Sequence, residues 1–226
     1  LMSVVYNDSV TREAISREDE RKFLKFVQED KHFCKYYDGI YILLNTGLRI
    51  SEFVGLTKSD IDFENMKINV DHQLQRYIGI GYKMVEPKTE SGVRQIPMTE
   101  EVAECFRRVI ENRKTPKVEP IIDGYAGLLW LDKDDKPMVA MHWEKYFQHI
   151  CDKYNATYKV QIPRITPHVC RHTFCSRLIE NDVNPKITQQ IMGHKNIETT
   201  LDIYAEISFE KQQQSLEELA KKIDFF

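Results

Sequence analysis

The sequence predicts a mainly α-helical domain carrying a small antiparallel β-sheet, an α+β fold. Three observations predict it. Apolar residues recur at helical spacing through most of the 226 residues, the period shortens to two in the stretch 67–97, and capping residues, prolines and glycines punctuate the segments. With 42% hydrophobic and 30% charged residues, the chain falls among ordinary globular proteins, which excludes a collagen-like, low-complexity or wholly disordered chain. No apolar run reaches the roughly 18 residues of a membrane-spanning helix. The five cysteines form no C-x-x-C pair and no secretory signal precedes them, so reduced thiols in a cytoplasm are expected. The chain starts at Leu1 rather than Met, and a fragment of a longer protein is expected.

The elements follow in order. A helix is predicted over 16–30, with Ser16 as its cap, acids in its first turn and Phe23, Leu24, Phe26 and Val27 on its apolar face. A second, apolar enough to be buried, covers 34–46 and stops at Gly47. A short third runs over 49–56. Ile68 and Val70 alternating with polar neighbours read as a strand, and further strands are expected at 82–87 and 93–97, joined as a hairpin through the polar segment Lys88–Gly92. The stretch 72–84 is longer than a tight turn needs and reads as an extended β excursion. Thr99 caps the next helix. Residues 114–140 read as loop with an apolar strand-like piece at 127–131, and helices follow at 142–155, 167–181, 185–192, 197–206 and from 209. Thr166-Pro167 and Asn184-Pro185 each place a capping side chain before a proline at the first helical position. No repeat or linker divides the chain.

The formal charge of −3 argues, by itself, for an enzyme of small molecules rather than a nucleic-acid binder. The sum hides a pattern, however. Residues 151–200 carry a net +3 and three of the seven histidines, while residues 201–226 carry a net −3.

Candidate chemistry gathers at five places. Arg49 opens a helix after the Gly47 break, where its guanidinium can meet an anion and Glu52, three residues on, can orient it; a surface Arg–Glu pair is the plain alternative. His168 and Arg171 stand in or near a first helical turn begun by Pro167, where backbone N–H groups and the helix dipole favour a phosphate. His168 and His172 also have metal-ligand spacing, but Val169 occupies the place of a zinc-protease glutamate, so no metal is expected and His172 reads as a packed histidine. His194 follows the helix end at Gly193, and Tyr204 lies ten residues beyond it. Lys88 sits in the polar connection, otherwise an exposed loop lysine. As a set, two arginines can neutralise the non-bridging oxygens of a phosphodiester, a tyrosine can attack phosphorus, and His and Lys can move the protons.

This set resembles the tyrosine recombinase (phage integrase) family. Thr46-Gly47-Leu48-Arg49-Ile50-Ser51-Glu52 is similar to the family's first box, and His168-x-x-Arg171-His172 with Gly193-His194 through Tyr204 to its second; within the family the chain is most similar to integrases of Gram-positive conjugative transposons. The resemblance implies a tyrosine recombinase catalytic-domain fold, with a core over about 11–208 and a tail helix over 209–226, and without the N-terminal core-binding and arm-binding domains of full members. It implies that Tyr204 is the nucleophile of a 3′-phosphotyrosine bond, that Arg49 and Arg171 clamp the scissile phosphate, and that His194 donates to it. Lys88 is then the general acid, His168 the base and Glu52 a support for Arg49, with no cofactor and no metal. It further implies double-stranded DNA as partner, at transposon ends and target site, and a bacterial cytoplasmic tetramer that exchanges strands through a Holliday junction. The tail docks on a neighbouring protomer, an excision factor can assist, and no membrane is involved. A type IB topoisomerase shares the chemistry, but the short spacing from His194 to Tyr204 favours a recombinase; a silent DNA-binding relative is the other alternative.

Overall fold

The computed structural model describes residues 14–87, 89–205, 207 and 216. Its helices are α1 (Arg17–Glu29), α2 (Tyr37–Thr46), α3 (Ile50–Gly55), α4 (Glu100–Asn112), α5 (Ala140–Thr157), α6 (Pro167–Glu180), α7 (Pro185–Met192) and α8 (198–205). The strands are β1 (Ile61–Asp62), β2 (Lys67–Val70), β3 (Gln73–Tyr77), β4 (Gly81–Val85) and β5 (Arg94–Pro97). The expected α+β architecture is therefore present. No helix among the described residues is long and apolar enough to cross a membrane.

Local chemistry sets most boundaries. The Ser16 hydroxyl accepts from Asp19 N–H at the start of α1, Thr99 accepts from Val102 N–H at α4, and Thr166 accepts from Val169 N–H at α6, where Pro167 takes the first helical position. Gly47 ends α2 and Gly193 ends α7, each at φ 64°, a left-handed conformation that costs glycine little.

The core forms around α2, which packs against α4 and α6. Phe53 stacks on Trp130 at 4.5 Å between centroids, Trp143 meets Phe53 edge-on at 4.9 Å, and the Trp130 indole N–H donates to the Phe53 carbonyl at 2.8 Å. Gly39 makes room for this cluster, since a Cβ there would lie 2.3 Å from Trp143. Six-residue α3 is thereby held from behind, and its N-terminus is left to face the functional residues.

The strands correct one expectation. The segments 82–87 and 93–97 do not pair as a hairpin. Instead β4 pairs with β3 in a two-stranded antiparallel ribbon, and β5 pairs with β2 in a three-stranded sheet of order β1-β2-β5. The ribbon is inserted between the paired strands β2 and β5. It turns through Ile78-Gly79-Ile80, with Gly79 at φ 78° and Gly81 at φ 101°. Glycines at those two positions allow the tight turn, and the 72–84 stretch is a β excursion as expected, most of a hairpin. In the three-stranded sheet, Ile68 pairs with Ile96 and both are fully buried. Of the C-terminal helix expected from 209, Leu216 alone is among the described residues, where it is helical and exposed.

Candidate active site

The site is built on a helix terminus. An α-helix leaves its last carbonyls without intrahelical partners, and the negative end of its dipole lies there. At the end of α7 three consecutive carbonyls are each taken by a different arginine. Ile191 O accepts from Arg94 Nε at 2.8 Å, Met192 O from Arg171 Nη2 at 2.5 Å, and Gly193 O from Arg49 Nη2 at 2.7 Å. Arg171 Nη1 also donates to the carbonyl of Gly47, the residue that ends α2. The two left-handed glycines thus carry carbonyls that receive the two motif arginines. They also lie against crowded surroundings: a Cβ on Gly47 would sit 2.7 Å from Phe174 and 2.8 Å from Met192 Sδ, and one on Gly193 would sit 2.9 Å from the Ser91 carbonyl.

Glu52 balances this cluster. As the third residue of α3 it accepts the Arg49 backbone N–H at 2.9 Å, which caps the helix, and the Arg49 Nη1 at 2.7 Å. It also receives a bidentate pair from Arg94, at 3.0 Å and 2.8 Å. Burial opposes its ionisation, but the hydrogen bonds and charge of Arg94, then the charge of Arg49, outweigh burial and hold the carboxyl below its ordinary value of 4.5. Glu52 is 2% exposed and Arg49 is 37% exposed at the side chain, so the carboxylate is sealed while the guanidinium opens outward.

Of the three guanidiniums here, Arg49 and Arg94 hydrogen-bond Glu52 and Arg171 does not. Arg171 hydrogen-bonds two backbone carbonyls and is buried; burial, followed by repulsion from Arg49, lowers its pKa to about 9, which leaves it charged at neutral pH. His194 lies just past the α7 end, where its Nδ1 is 2.9 Å from the Thr200 hydroxyl. Burial, then the charges of Arg171, Arg49 and Arg94, lower its pKa to about 4, so the imidazole is neutral at neutral pH. The Gln189 side chain fixes the turn, donating to the His194 carbonyl at 3.1 Å. Chemically, such an arrangement can receive an anion bearing two charged oxygens.

Of the residues singled out in the sequence, the structure unites Arg49, Glu52, Arg171 and His194. His168 is exposed in the first turn of α6, and His172 is half-buried on the same helix. Tyr204 is 40% exposed on α8, which seats its Ile203 against Cys175, Ile179 and Met192. The nucleophile candidate therefore rides on a helix anchored to α6 and to the last residue of α7. Lys88 lies outside the described residues; its neighbours Pro87 and Thr89 both lean on Gly92, through a close approach of Pro87 and a 2.8 Å bond from Gly92 N–H to the Thr89 carbonyl.

Sequence reasoning missed Arg94, Gln189 and Thr200. A signal existed for Arg94. In an alternating strand it shares the face of Ile96, and a cation on an inward face demands an inward anion.

A second polar cluster comprises Asp60, Asp71 and His72, whose ligand-type atoms lie within 4.8 Å of one another. These atoms are already engaged. His72 Nδ1 is 2.5 Å from Asp71 Oδ1, its Nε2 is 2.9 Å from the Gly55 carbonyl, and Asp60 Oδ2 accepts from Thr57 N–H and hydroxyl at 2.7 Å each. The cluster ties the end of α3 to the β2–β3 turn.

Residues 13–211 match the family described as the phage integrase family. The transposase from transposon Tn916 of Enterococcus faecalis is 46% identical over 223 residues, 98% of this chain and 55% of that protein. The tyrosine recombinase XerA of Thermococcus onnurineus (strain NA1) is 28% identical over 205 residues, 90% of this chain and 61% of that protein. Among solved structures, the Tn1549 transposon integrase in complex with circular intermediate DNA matches with a TM-score of 0.85 at 49% identity, covering 94% of this chain and 68% of that one. The crystal structure of XerA recombinase matches with a TM-score of 0.63 at 23% identity, covering 85% of this chain and 59% of that one, which concerns the fold alone. The chain thus spans about half the length of the transposase it matches, 55%.

Proposed function

The chain belongs to the phage integrase family, the tyrosine recombinases, and from that membership we propose that it is the catalytic domain of a site-specific DNA recombinase that integrates and excises a mobile element. The observation that carries the reading is the end of α7, where Arg49, Arg94 and Arg171 converge on three successive carbonyls with one carboxylate among them. A phosphodiester supplies the negative charge that this cluster lacks. The solved Tn1549 integrase complexes, with circular intermediate DNA and with transposon right end DNA, support double-stranded DNA as the ligand.

In the proposed reaction Arg49 and Arg171 hold the two non-bridging oxygens. The Tyr204 hydroxyl oxygen attacks phosphorus and gives its proton to His168, while the bond from phosphorus to the 5′ oxygen breaks and Lys88 protonates that oxygen. The products are a 3′-phosphotyrosine and a free 5′-hydroxyl; attack by the 5′-hydroxyl of another strand reverses the step and joins the strands. A neutral His194 contributes a hydrogen bond to the phosphate from Nε2–H when its Nδ1 accepts from Thr200. Glu52 keeps Arg49 aimed. The reaction uses no metal or cofactor. We place it in a tetramer on two duplexes, passing through a Holliday junction in the bacterial cytoplasm on nucleoid DNA, with the 209–226 tail docked on a neighbouring protomer and an excision factor as an accessory. In this reading, core-binding and arm-binding domains belong to the parent protein and supply part of its DNA affinity.

The test is a suicide duplex nicked beside the cleavage site, incubated with the full-length gene product. A covalent protein–DNA band is expected from wild type and none from Tyr204→Phe; a band of equal strength from the variant would remove Tyr204 from the nucleophile role.

A further inference from the structure

We infer that Arg94 is a positioning residue, which aims the Arg49 guanidinium and the Gly193–His194 turn at the bound phosphate. The inference rests on the phosphate-clamp reading above. Arg94 does not itself touch substrate. Its side chain is 5% exposed, and four of its five N–H groups donate to Ile191 O at 2.8 Å, Gly92 O at 3.0 Å and the two oxygens of Glu52. It acts through the groups it holds, and it holds three segments at once: the first turn of α3, the end of α7 and the segment leading into β5.

The first consequence concerns Arg49. Glu52 Oε1 is shared, 2.7 Å from Arg49 Nη1 and 3.0 Å from Arg94 Nη1, and Oε2 serves Arg94 Nη2 and the Arg49 backbone N–H. Because Arg94 takes the carboxylate through a planar fork, Glu52 reaches the Arg49 side chain through one oxygen only. Most of the Arg49 charge is left for a ligand. Without Arg94 the carboxylate is free to close on Arg49 bidentately, supplying the neutralisation that the phosphate should supply and turning the guanidinium inward.

The second consequence concerns the turn. Ile191, which receives Arg94 Nε, lies two residues before Gly193, whose carbonyl holds the other end of the Arg49 fork. Arg94 also stands directly against Gly193: a Cβ there would lie 3.0 Å from Arg94 Nη1. The guanidinium therefore fixes the distance from α3 to the α7 end, and with it the spacing of Arg49 and His194. Lysine can replace the charge but not the fork, because an ammonium offers no planar pair of donors and cannot span Glu52, Ile191 and Gly92 together.

The test compares two suicide duplexes that differ at the scissile position alone, one with the natural phosphodiester and one with a methylphosphonate, in which a neutral methyl replaces a charged oxygen. The full-length gene product is used as wild type, Arg94→Lys, Arg94→Gln and Arg49→Ala, with thermal unfolding measured for each. Arg94→Lys is expected to fold and to cleave the phosphodiester roughly ten- to a hundredfold more slowly, the penalty of a misplaced clamp, with a much smaller loss on the methylphosphonate. A merely structural role lowers both substrates equally. Equal losses from the Arg94 variants, while Arg49→Ala distinguishes the substrates, would overturn the inference. So would unchanged cleavage of both, or failure of both Arg94 variants to fold, which would make Arg94 a core residue only. If Arg49→Ala itself fails to distinguish the substrates, the phosphate-clamp reading falls and takes the inference with it.

Discussion

Two clusters of polar groups in this domain have opposite balance. At the end of α7, Glu52 is hydrogen-bonded by two guanidiniums, Arg49 and Arg94, while a third, Arg171, stands on backbone carbonyls; beside the end of α3, Asp60 and Asp71 flank the single imidazole of His72. The second cluster is internally paired, although its Asp71 carboxylate also reaches solvent. Its atoms find partners in one another, in Thr57 and in the Gly55 carbonyl, and Tyr125 covers the imidazole at 4.2 Å between centroids. The first is open: Arg49 reaches solvent, and among the described residues Arg171 has carbonyls for partners but no carboxylate. A cluster whose groups pair with one another and with the backbone holds the fold together, whereas guanidiniums in excess over their carboxylate offer charge to a ligand. This local imbalance carries information that the net charge of −3 does not.

The sharpest way to break the comparison is to cut each cluster once. Arg171→Ala should lower covalent-complex formation on the order of 10²–10³-fold, as expected for loss of one preorganised donor. Asp60→Asn should leave it within about twofold and change stability alone. Burial raises the Asp60 pKa, so the wild-type protein loses stability as pH climbs through the unfolded and then the folded titration of that carboxyl, and the asparagine variant does not. Urea denaturation at several pH values reads this difference. Comparable losses of cleavage from both substitutions would erase the distinction between the clusters.

A loss of stability, read separately from catalysis, sharpens it. Glu52→Gln removes the carboxylate that, among the described residues, is hydrogen-bonded to Arg49 and Arg94, and a broken buried pair costs about 3–5 kcal/mol. The folded pKa of Glu52 is depressed, so its contribution is fully present above the unfolded value and is lost as pH falls through the folded one. The stability gap between wild type and Glu52→Gln should therefore narrow below the ordinary carboxyl value of 4.5 and be widest near neutral pH. A gap that stays constant through the acid range would show that Glu52 acts by shape rather than charge.

The legible part of this site was local. Arg49, Arg171 and His194 each stand within a few residues of a glycine or proline that fixes a helix end, so short windows of sequence revealed both the helix boundary and the side chain presented there. The hidden part was non-local. Arg94 lies 42 residues from Glu52 and 97 from Ile191, and no window contains either pair. The strand pairing failed for the same reason. Segments 82–87 and 93–97 are neighbours in sequence, but the alternation of β5 satisfies any partner with an apolar face, and β2 supplied one across the inserted ribbon. Gly79 and Gly81 marked the true hairpin turn, and only the conformation they adopt shows what they were for.

The central claim is that the end of α7 carries positive charge left uncompensated for a phosphodiester. Its most direct test is the titration of the His194 imidazole by NMR in the Tyr204→Phe protein, free and bound to a cleavage-site duplex. In the free protein the midpoint should lie near the depressed value of about 4, because burial and three neighbouring guanidiniums disfavour the imidazolium. A phosphate seated among those guanidiniums cancels part of their field, and the midpoint should rise by about one unit or more on binding. An unchanged midpoint in the DNA complex would mean that the phosphate sits elsewhere, and would contradict the account.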